Sequence, residues 1–298
     1  MSPDIAPAER TELPTLSVVI ACRNSGTTLA ETLETVAEQE YPGWWEVLVV
    51  DNGSTDDTAA VARRFSDRLP GFTLLRPPDP GHQARALNYG IEHGKGEVFV
   101  FVDSDDLLGP GYLARMGAAL RTTDLVGGEL DVDRLNPPDI RARRGVLQQD
   151  RIDLFCGYLP AVVGASMGAR RDALHAVDGF DESLPTQHDL DISWRMHHDG
   201  RTAAFVPGAV VHYRYRRSAR DIYRQERGYG EGEVVLYRKF RDQGLQRRSP
   251  LRVAVAYARL ALAALRLPAS GGPARFATQL GMLVGRLEGS LRYRTVYL

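Results

Sequence analysis

Residues 16–57 read LSVVIACRNSGTTLAETLETVAEQEYPGWWEVLVVDNGSTDD. Leu16 to Ala21 is a short continuous apolar run rich in β-branched residues, the pattern of a strand buried on both faces. Thr27 to Glu38 carries Leu29, Leu33, Val36 and Ala37 near helical spacing. Val47 to Val50 is a second buried strand and ends at Asp51. Ser54-Thr55-Asp56-Asp57 offers a helix N-cap with acids in the first turn, and Thr58 to Phe65 continues as helix. The alternation persists downstream: strand over Phe72–Leu75, helix over Ala84–Glu92 stopping at Gly94, strand over Val98–Val102. This order predicts an α/β chain with a parallel sheet covered by helices on both faces. Ligands of such sheets bind beyond the carboxyl ends of the strands. Three of those ends carry polar clusters that should converge: Arg23-Asn24, Asp51-Asn52 and Asp103-Ser104-Asp105-Asp106.

The remainder is less regular. Pro137-Pro138 with Arg141, Arg143 and Arg144 predicts a loop. Short helices are expected over Asp172–Val177 and Asp189–His198, strand pieces over Phe205–Val206 and Ala209–Tyr213, and helix from Ser218 onward. Residues 1–14 read as a loose Pro/Ala/Glu-rich tail.

The formal net charge of −1 over 298 residues conceals an asymmetry. Residues 1–200 hold 18 basic and 32 acidic side chains, and residues 201–298 hold 19 and 6. A basic third of this kind points to an anionic partner. With 43% hydrophobic and 25% charged residues, the composition is that of a globular chain. Two cysteines, Cys22 and Cys156, are too few for a disulfide framework, which suits a reducing, cytoplasmic compartment. The N-terminus lacks an apolar signal-peptide core, and the longest apolar-rich stretch, Val253 to Leu267, is broken by Arg259 and Arg266. A soluble or peripheral protein is expected.

Three constellations carry chemistry. Asp103 and Asp105 at the end of VFVFV can place oxygen ligands round one hard cation such as Mg²⁺ or Mn²⁺. The competing reading is a helix N-cap, since Leu107 and Leu108 follow. Asp51-Asn52-Gly53, between a strand and a helix start, can hydrogen-bond a base edge or a ribose hydroxyl. Asp189, in His188-Asp189-Leu190-Asp191 after Asp178-Gly179-Phe180-Asp181-Glu182, opens a helix and is placed to act as general base or merely as a cap.

Together and in this order, SVVI, VVDNGSTDDT, Ala86-Leu87-Asn88-Tyr89-Gly90, Gly96-Glu97, FVDSDD, GASMGARRDAL, DGFDE, HDLDISWR and Val211-His212 resemble the family 2 inverting glycosyltransferases over residues 16 to about 240. The resemblance implies a GT-A fold: a Rossmann-like, mostly parallel sheet with helices on both faces, here followed by C-terminal amphipathic helices. It implies a nucleotide-sugar-binding half over 15–110, an acceptor-binding and catalytic half over 111–217, and a basic helical extension over 218–298. Asp51 and Asn52 then look like the nucleotide-reading pair, with Ala21, Arg23, Asn24, Arg85 and Ser104 near the nucleotide. Asp103 and Asp105 look like the DxD motif, Asp103 toward the ribose and Asp105 toward the metal. Asp189 looks like the catalytic base, and His212 like a histidine that adds a metal or diphosphate contact in some members. His188, Trp194 and Arg195 match elements close to the acceptor or diphosphate. The chain departs from the family pattern at Asn52 (a second acid is commoner), Ala21 (often Thr), His188 (Glu in the usual ED pair) and Asp178 (Gly in GGFDE). The implied reaction is a single displacement: a divalent cation neutralises the diphosphate of an NDP-sugar, UDP-linked or another, and Asp189 deprotonates an acceptor hydroxyl on a glycan, lipid-linked or natural-product acceptor.

The basic third carries Arg214, Arg216, Arg217, Arg220, Arg224 and Arg227 among Tyr213, Tyr215 and Tyr223, followed by Gly228, Gly230 and Gly232. In this family context the segment is expected to form a mobile flap near a nucleotide diphosphate or anionic acceptor rather than to bind nucleic acid. Arg252, Arg259 and Arg266 recur every seven residues on one helix face, and Phe276, Leu280, Leu283, Leu287 and Leu291 form a second stripe. Two such helices fit an anionic membrane surface at the inner face of the cell membrane, a second copy of the chain, or packing on the catalytic domain. The rival classes are a haloacid-dehalogenase-type phosphatase, which also places DxD after a strand, and a non-catalytic sugar-nucleotide or polyanion binding module. The phosphatase motif normally has Thr where this chain has Leu107.

Overall fold

A computed structural model describes residues 12–138, 140, 147–269 and 271–297. Residues 1–11 of the expected tail, and Arg141, Arg143 and Arg144 of the expected loop, lie outside the described residues. The first half alternates as expected: β1 (Leu16–Cys22), α1 (Leu29–Ala37), β2 (Trp45–Asp51), α2 (Thr58–Arg63), β3 (Thr73–Leu75), α3 (Gln83–His93) and β4 (Val98–Asp103). All seven residues of β1 are buried because helices cover both faces of the sheet. Val18 and Ile20 pack with Leu29, Leu33 and Val36 of α1 on one side. Val19 and Ala21 pack with Ala84, Leu87 and Ile91 of α3 on the other.

Register then builds the site edge. β1 pairs in parallel with β2, placing Cys22 opposite Asp51, and with β4, placing Ala21 opposite Asp103. Leu107–Leu108 is a short strand, β5, not the start of a helix, which removes the N-cap reading of the acidic run. After α4 (Tyr112–Ala119) and β6 (Leu125–Asp131) come a two-stranded antiparallel sheet of β7 (Asp153–Phe155) and β8 (Leu159–Ala161), then β9 (Met167–Arg170), α5 (Arg171–Ala176), α6 (His188–His198) and β10 (Ala203–His212). The main sheet has eight strands in the order β3-β2-β1-β4-β9-β6-β10-β5. The two strand pieces expected near residue 205 are one strand, β10, irregular between Val206 and Val210, where Pro207 and Gly208 interrupt the ladder. β6 and β9 escaped the sequence reading. Gly127 and Gly128 weaken the strand pattern of β6, yet a side chain there would strike the Gln148 side chain or the Ala209 carbonyl.

The C-terminal third is α7 (Ala219–Phe240), α8 (Pro250–Leu265) and α9 (Gly272–Arg292). α7 is continuous through Gly228, Gly230 and Gly232, so the expected flap is helix from Ala219 onward. Its glycines serve packing: a Cβ at Gly230 would collide with the Met282 carbonyl of α9, and one at Gly285 with the Arg227 carbonyl of α7. α7 also packs on α6, where Val234, Leu236, Tyr237 and Phe240 join Leu190 and Trp194.

Candidate active site

The carboxyl ends of β1, β2 and β4 open into a cavity of about 530 Å³. Ala21, Arg23, Asn24, Asn52, Asp103, Ser104 and Asp105 all line it, together with Gln83, Arg214, Arg216 and Tyr229. Asp51 lies beneath this edge, buried; its carboxylate accepts from the Ser54 N–H at 2.9 Å and from Arg76 Nε at 3.1 Å. Asn52 is bonded both ways to Gly81, donating to its carbonyl at 2.9 Å and accepting from its N–H at 3.1 Å. The amide therefore braces the 79–82 loop against β2. The Ser104 hydroxyl meets the Ser25 hydroxyl at 2.7 Å, and its carbonyl accepts from Thr28 Oγ1 at 3.0 Å, fixing the acidic turn against the α1 entry.

Asp103, Asp105 and Asp106 each offer a carboxylate oxygen within 4.8 Å of the others. Asp106, named in the sequence only as part of the acidic run, is fully buried. It accepts from the Arg214 N–H at 2.7 Å, while its Oδ2 is buried with no partner. Burial, together with the Asp105 carboxylate, pushes Asp103 up to about 6, and burial with Asp103 pushes Asp106 well above the usual range. Three crowded oxygen donors, one of them orphaned, fit a hard divalent cation of the Mg²⁺ or Mn²⁺ kind. Arg216 Nη1 pairs with Asp105 at 2.8 Å, and Arg214 Nε donates to the Asp105 carbonyl at 2.8 Å. Two of the arginines expected in a flap are thus at the carboxylates, on the extended segment before α7.

Gln83 is a site residue the sequence reading missed; its amide donates to Asp103 Oδ1 at 2.9 Å. Tyr229 is another, and Tyr213, expected in the flap, is at the site as well. Both line the large cavity and an adjoining chamber of about 250 Å³ that contains His188 and Asp189. Asp103 and Gln83 line both spaces. Asp189, at the start of α6, accepts from the Gly164 N–H at 2.9 Å through Oδ2 and from the Leu190 N–H at 3.0 Å through Oδ1. His188 meets Phe180 edge-on at 5.5 Å, and burial holds its imidazole below its usual pKa despite the neighbouring Asp189 and Asp191. The residue that replaces Glu beside the candidate base is thus pushed toward its neutral form by burial.

Four expected site residues make their contacts elsewhere. His212 stands outside the carboxylate group, with Nδ1 2.5 Å from Asp131 Oδ2. Successive residues of a strand point to opposite faces, and Tyr213 takes the cavity side. Arg85 pairs with Asp79 at 3.5 Å and Glu182 at 3.9 Å and lines neither space. Trp194 is 0% exposed, donates through Nε1 to the Leu159 carbonyl at 3.1 Å, and sits edge-on to Tyr158 and Phe240. It is a core anchor for α6, and Trp194→Ala is expected to cost about 3–5 kcal/mol, read as a lowered denaturant midpoint. Arg195 donates to the Val177 and Gly179 carbonyls and pairs with Asp191 at 2.7 Å. It clasps the turn at Asp178, whose φ of +56° explains why glycine is the family's usual residue there.

Lys239 of α7 completes this support. Its ammonium lies 2.6 Å from Asp181 and 2.6 Å from the fully buried Asp191. Burial raises the Asp181 pKa, but Lys239 and two bonds from Ser183 outweigh it and hold the carboxyl at about 2. A depressed carboxyl pKa stabilises the fold above the unfolded value near 4, and that contribution is lost as pH falls through about 2. Lys239→Ala is expected to remove about 2 kcal/mol or more at pH 7 and to flatten the acid limb of the stability curve, measured by urea titration at several pH values.

A model described as "Glycosyl transferase family 2" matches residues 17–177, and one described as "Glycosyl transferase family group 2" matches residues 98–286. The chain is 26% identical to Glycosyltransferase AglE of Haloferax volcanii over 76% of its own length and 75% of that protein. It is 22% identical to Beta-monoglucosyldiacylglycerol synthase of a Nostoc species over 79% of its length and 52% of that protein. In fold it is similar to the mannosyltransferase PcManGT of Pyrobaculum calidifontis, solved with GDP-Man and Mn²⁺: TM-score 0.67, 21% identity, 97% of this chain and 90% of that one.

Proposed function

The chain belongs to glycosyl transferase family 2, and from that premise we propose that it moves a sugar from a nucleoside-diphosphate sugar to an acceptor hydroxyl in one inverting displacement. The observation that carries this reading is the joining of two spaces. A nucleotide-sized cavity at the strand ends meets the Asp189 chamber across Asp103 and Gln83, with Tyr213 and Tyr229 over the junction. The nucleoside lies against Ala21–Asn24 and the Asp51–Asn52 edge, and the diphosphate reaches Asp103 and Asp105. A bound divalent cation would neutralise the diphosphate and make the nucleotide a better leaving group. Asp105 with Asp103 and Asp106 would hold it.

Arg216 gives up its pairing with Asp105 when the diphosphate arrives, and turns to a phosphate oxygen with Arg214 beside it. The sugar then projects past Gln83 toward Asp189. Asp189 is held in place by the Gly164 N–H and takes the proton of the acceptor hydroxyl as that oxygen attacks the anomeric carbon. The attack is opposite the leaving diphosphate, so configuration inverts and no covalent enzyme intermediate forms.

The direct test is a donor screen. UDP-, GDP- and dTDP-sugars with Mn²⁺ or Mg²⁺ are expected to raise the melting temperature for at least one base, with slow donor hydrolysis, and EDTA abolishes both. No response to any nucleotide with metal present would refute the reading.

A further inference from the structure

α8 reads PLRVAVAYARLALAAL. Its polar side chains are Arg252, Tyr257 and Arg259, with Arg266 at its C-cap. A helix so nearly apolar all round is ordinarily buried. Here only Ala256 and Ala263 are buried, whereas Leu251 and Leu265 are 74% and 81% exposed and Val255 and Leu262 are also exposed. At 3.6 residues per turn, Ala256 and Ala263 fall on the seam toward the protein. Leu265 and Leu251 fall on the outer side, and Leu262 and Val255 lie between them and the arginine row, exposed while also bordering the spaces under the helix, with no charge among the four. Arg252, Arg259 and Arg266 run as a row along one flank. None of these three forms an ion pair among the described residues, and neither does Arg275 of α9.

The space beneath the helix has the same character. A cavity of about 360 Å³ under its C-terminal end is lined by Arg259, Arg266 and Arg275 and, among the described residues, by no acid. A second, of about 510 Å³ under its N-terminal end, holds Arg248 and Arg252, and Arg248 keeps a buried Nη1 with no partner. This second space shares Glu226, Thr278 and Met282 with an apolar chamber of about 330 Å³ that reaches Asp189. Residues 241–298 contain ten arginines and two acids, so the segment is strongly cationic. A second copy seated on this face would bring two arginine rows together, and α8 has no acid to separate them. At sixteen residues, α8 is about 24 Å long, short of a bilayer's hydrocarbon core, and no helix among the described residues is long and apolar enough to cross a membrane.

We propose that α8 lies in the surface of an anionic phospholipid bilayer. The outer leucine row enters the acyl boundary and the arginine row sits at phosphate level. The cleft beneath α8, which leads toward Asp189, then opens at the lipid surface. The proposal goes beyond the transferase reading and stands apart from it.

The test is co-sedimentation of the full chain with vesicles of phosphatidylcholine alone, or of phosphatidylcholine with about one-third phosphatidylglycerol. Wild type is expected to bind the anionic vesicles at least about tenfold better, and to release as salt is raised toward about 0.5 M. The triple variant Leu251→Glu, Leu262→Glu, Leu265→Glu should lose binding to both vesicles. The triple variant Arg252→Gln, Arg259→Gln, Arg266→Gln should lose the anionic preference. Both should keep the metal-and-nucleotide thermal shift, which shows that they fold and separates failure here from failure of the transferase reading. The proposal is overturned if wild type stays in the supernatant with anionic vesicles, or if the leucine variant binds as well as wild type. It is also overturned if α8 instead mediates a dimer in solution that the leucine variant dissolves.

Discussion

Asp189→Asn is expected to lower turnover by about 10²–10⁴-fold while leaving nucleotide affinity within about twofold. The amide oxygen can still accept from the Gly164 N–H, which Asp189 Oδ2 does at 2.9 Å, so the chamber keeps its shape. What is lost is the group that takes the acceptor proton. Steady-state rates with a responsive donor, set beside calorimetric titration of the nucleotide, separate the two effects. Asp189→Asn at wild-type turnover would remove Asp189 from the chemistry. A parallel collapse of nucleotide affinity would instead make it part of donor binding.

The second large effect is expected at the acidic turn. Asp103→Asn should abolish the metal-dependent thermal shift and lower turnover by roughly 10³-fold or more, since a cation at a transferring diphosphate contributes several kcal/mol. The same substitution should raise the melting temperature of the protein without metal. Asp103, Asp105 and Asp106 are crowded together, and burial already disfavours the charge of Asp103 and Asp106. Removing one carboxylate relieves that repulsion. The opposite signs with and without metal distinguish a cation site from an ordinary structural cluster, where the change would act in one direction only. Scanning calorimetry with Mn²⁺ plus nucleotide, and again with EDTA, reads both.

The first half of the fold was legible because its strands are buried on both faces and read as unbroken apolar runs. LSVVIA, VLVV and VFVFV each end on the polar residues that line or brace the cavity. In the second half the helices at 171–176, 188–198 and from 219 onward and the strand at 203–212 were legible, but β5 to β9 were not, because those strands are short or contain glycine. In β6, Gly127 and Gly128 answer to neighbouring groups rather than to strand propensity. Residue types also misled where one side chain suits two tasks. Trp194 and Arg195 follow the candidate base on its helix, yet a helix turns 100° per residue, and both point into the support behind the site. His212 follows the same logic on a strand, with Tyr213 taking the cavity side. Gln83, Tyr213 and Tyr229 carry no motif, and only the packing of α3, the β10 exit and α7 brings them together. The charge asymmetry also resolves in space. Arg214 and Arg216 of the basic third meet the acids of the first two-thirds at Asp105 and Asp106, while Arg252, Arg259, Arg266 and Arg275, with no ion pair among the described residues, lie on and under α8.

The central claim is a single displacement at the junction of the two spaces. It is tested most directly by the stereochemistry of the sugar released from a responsive nucleotide-sugar with Mn²⁺, followed by proton NMR before mutarotation. An α-linked donor should give the β-anomer as the first product, and Asp189→Asn should suppress its formation. Release of the α-anomer first, at a rate that Asp189→Asn does not change, would contradict the account.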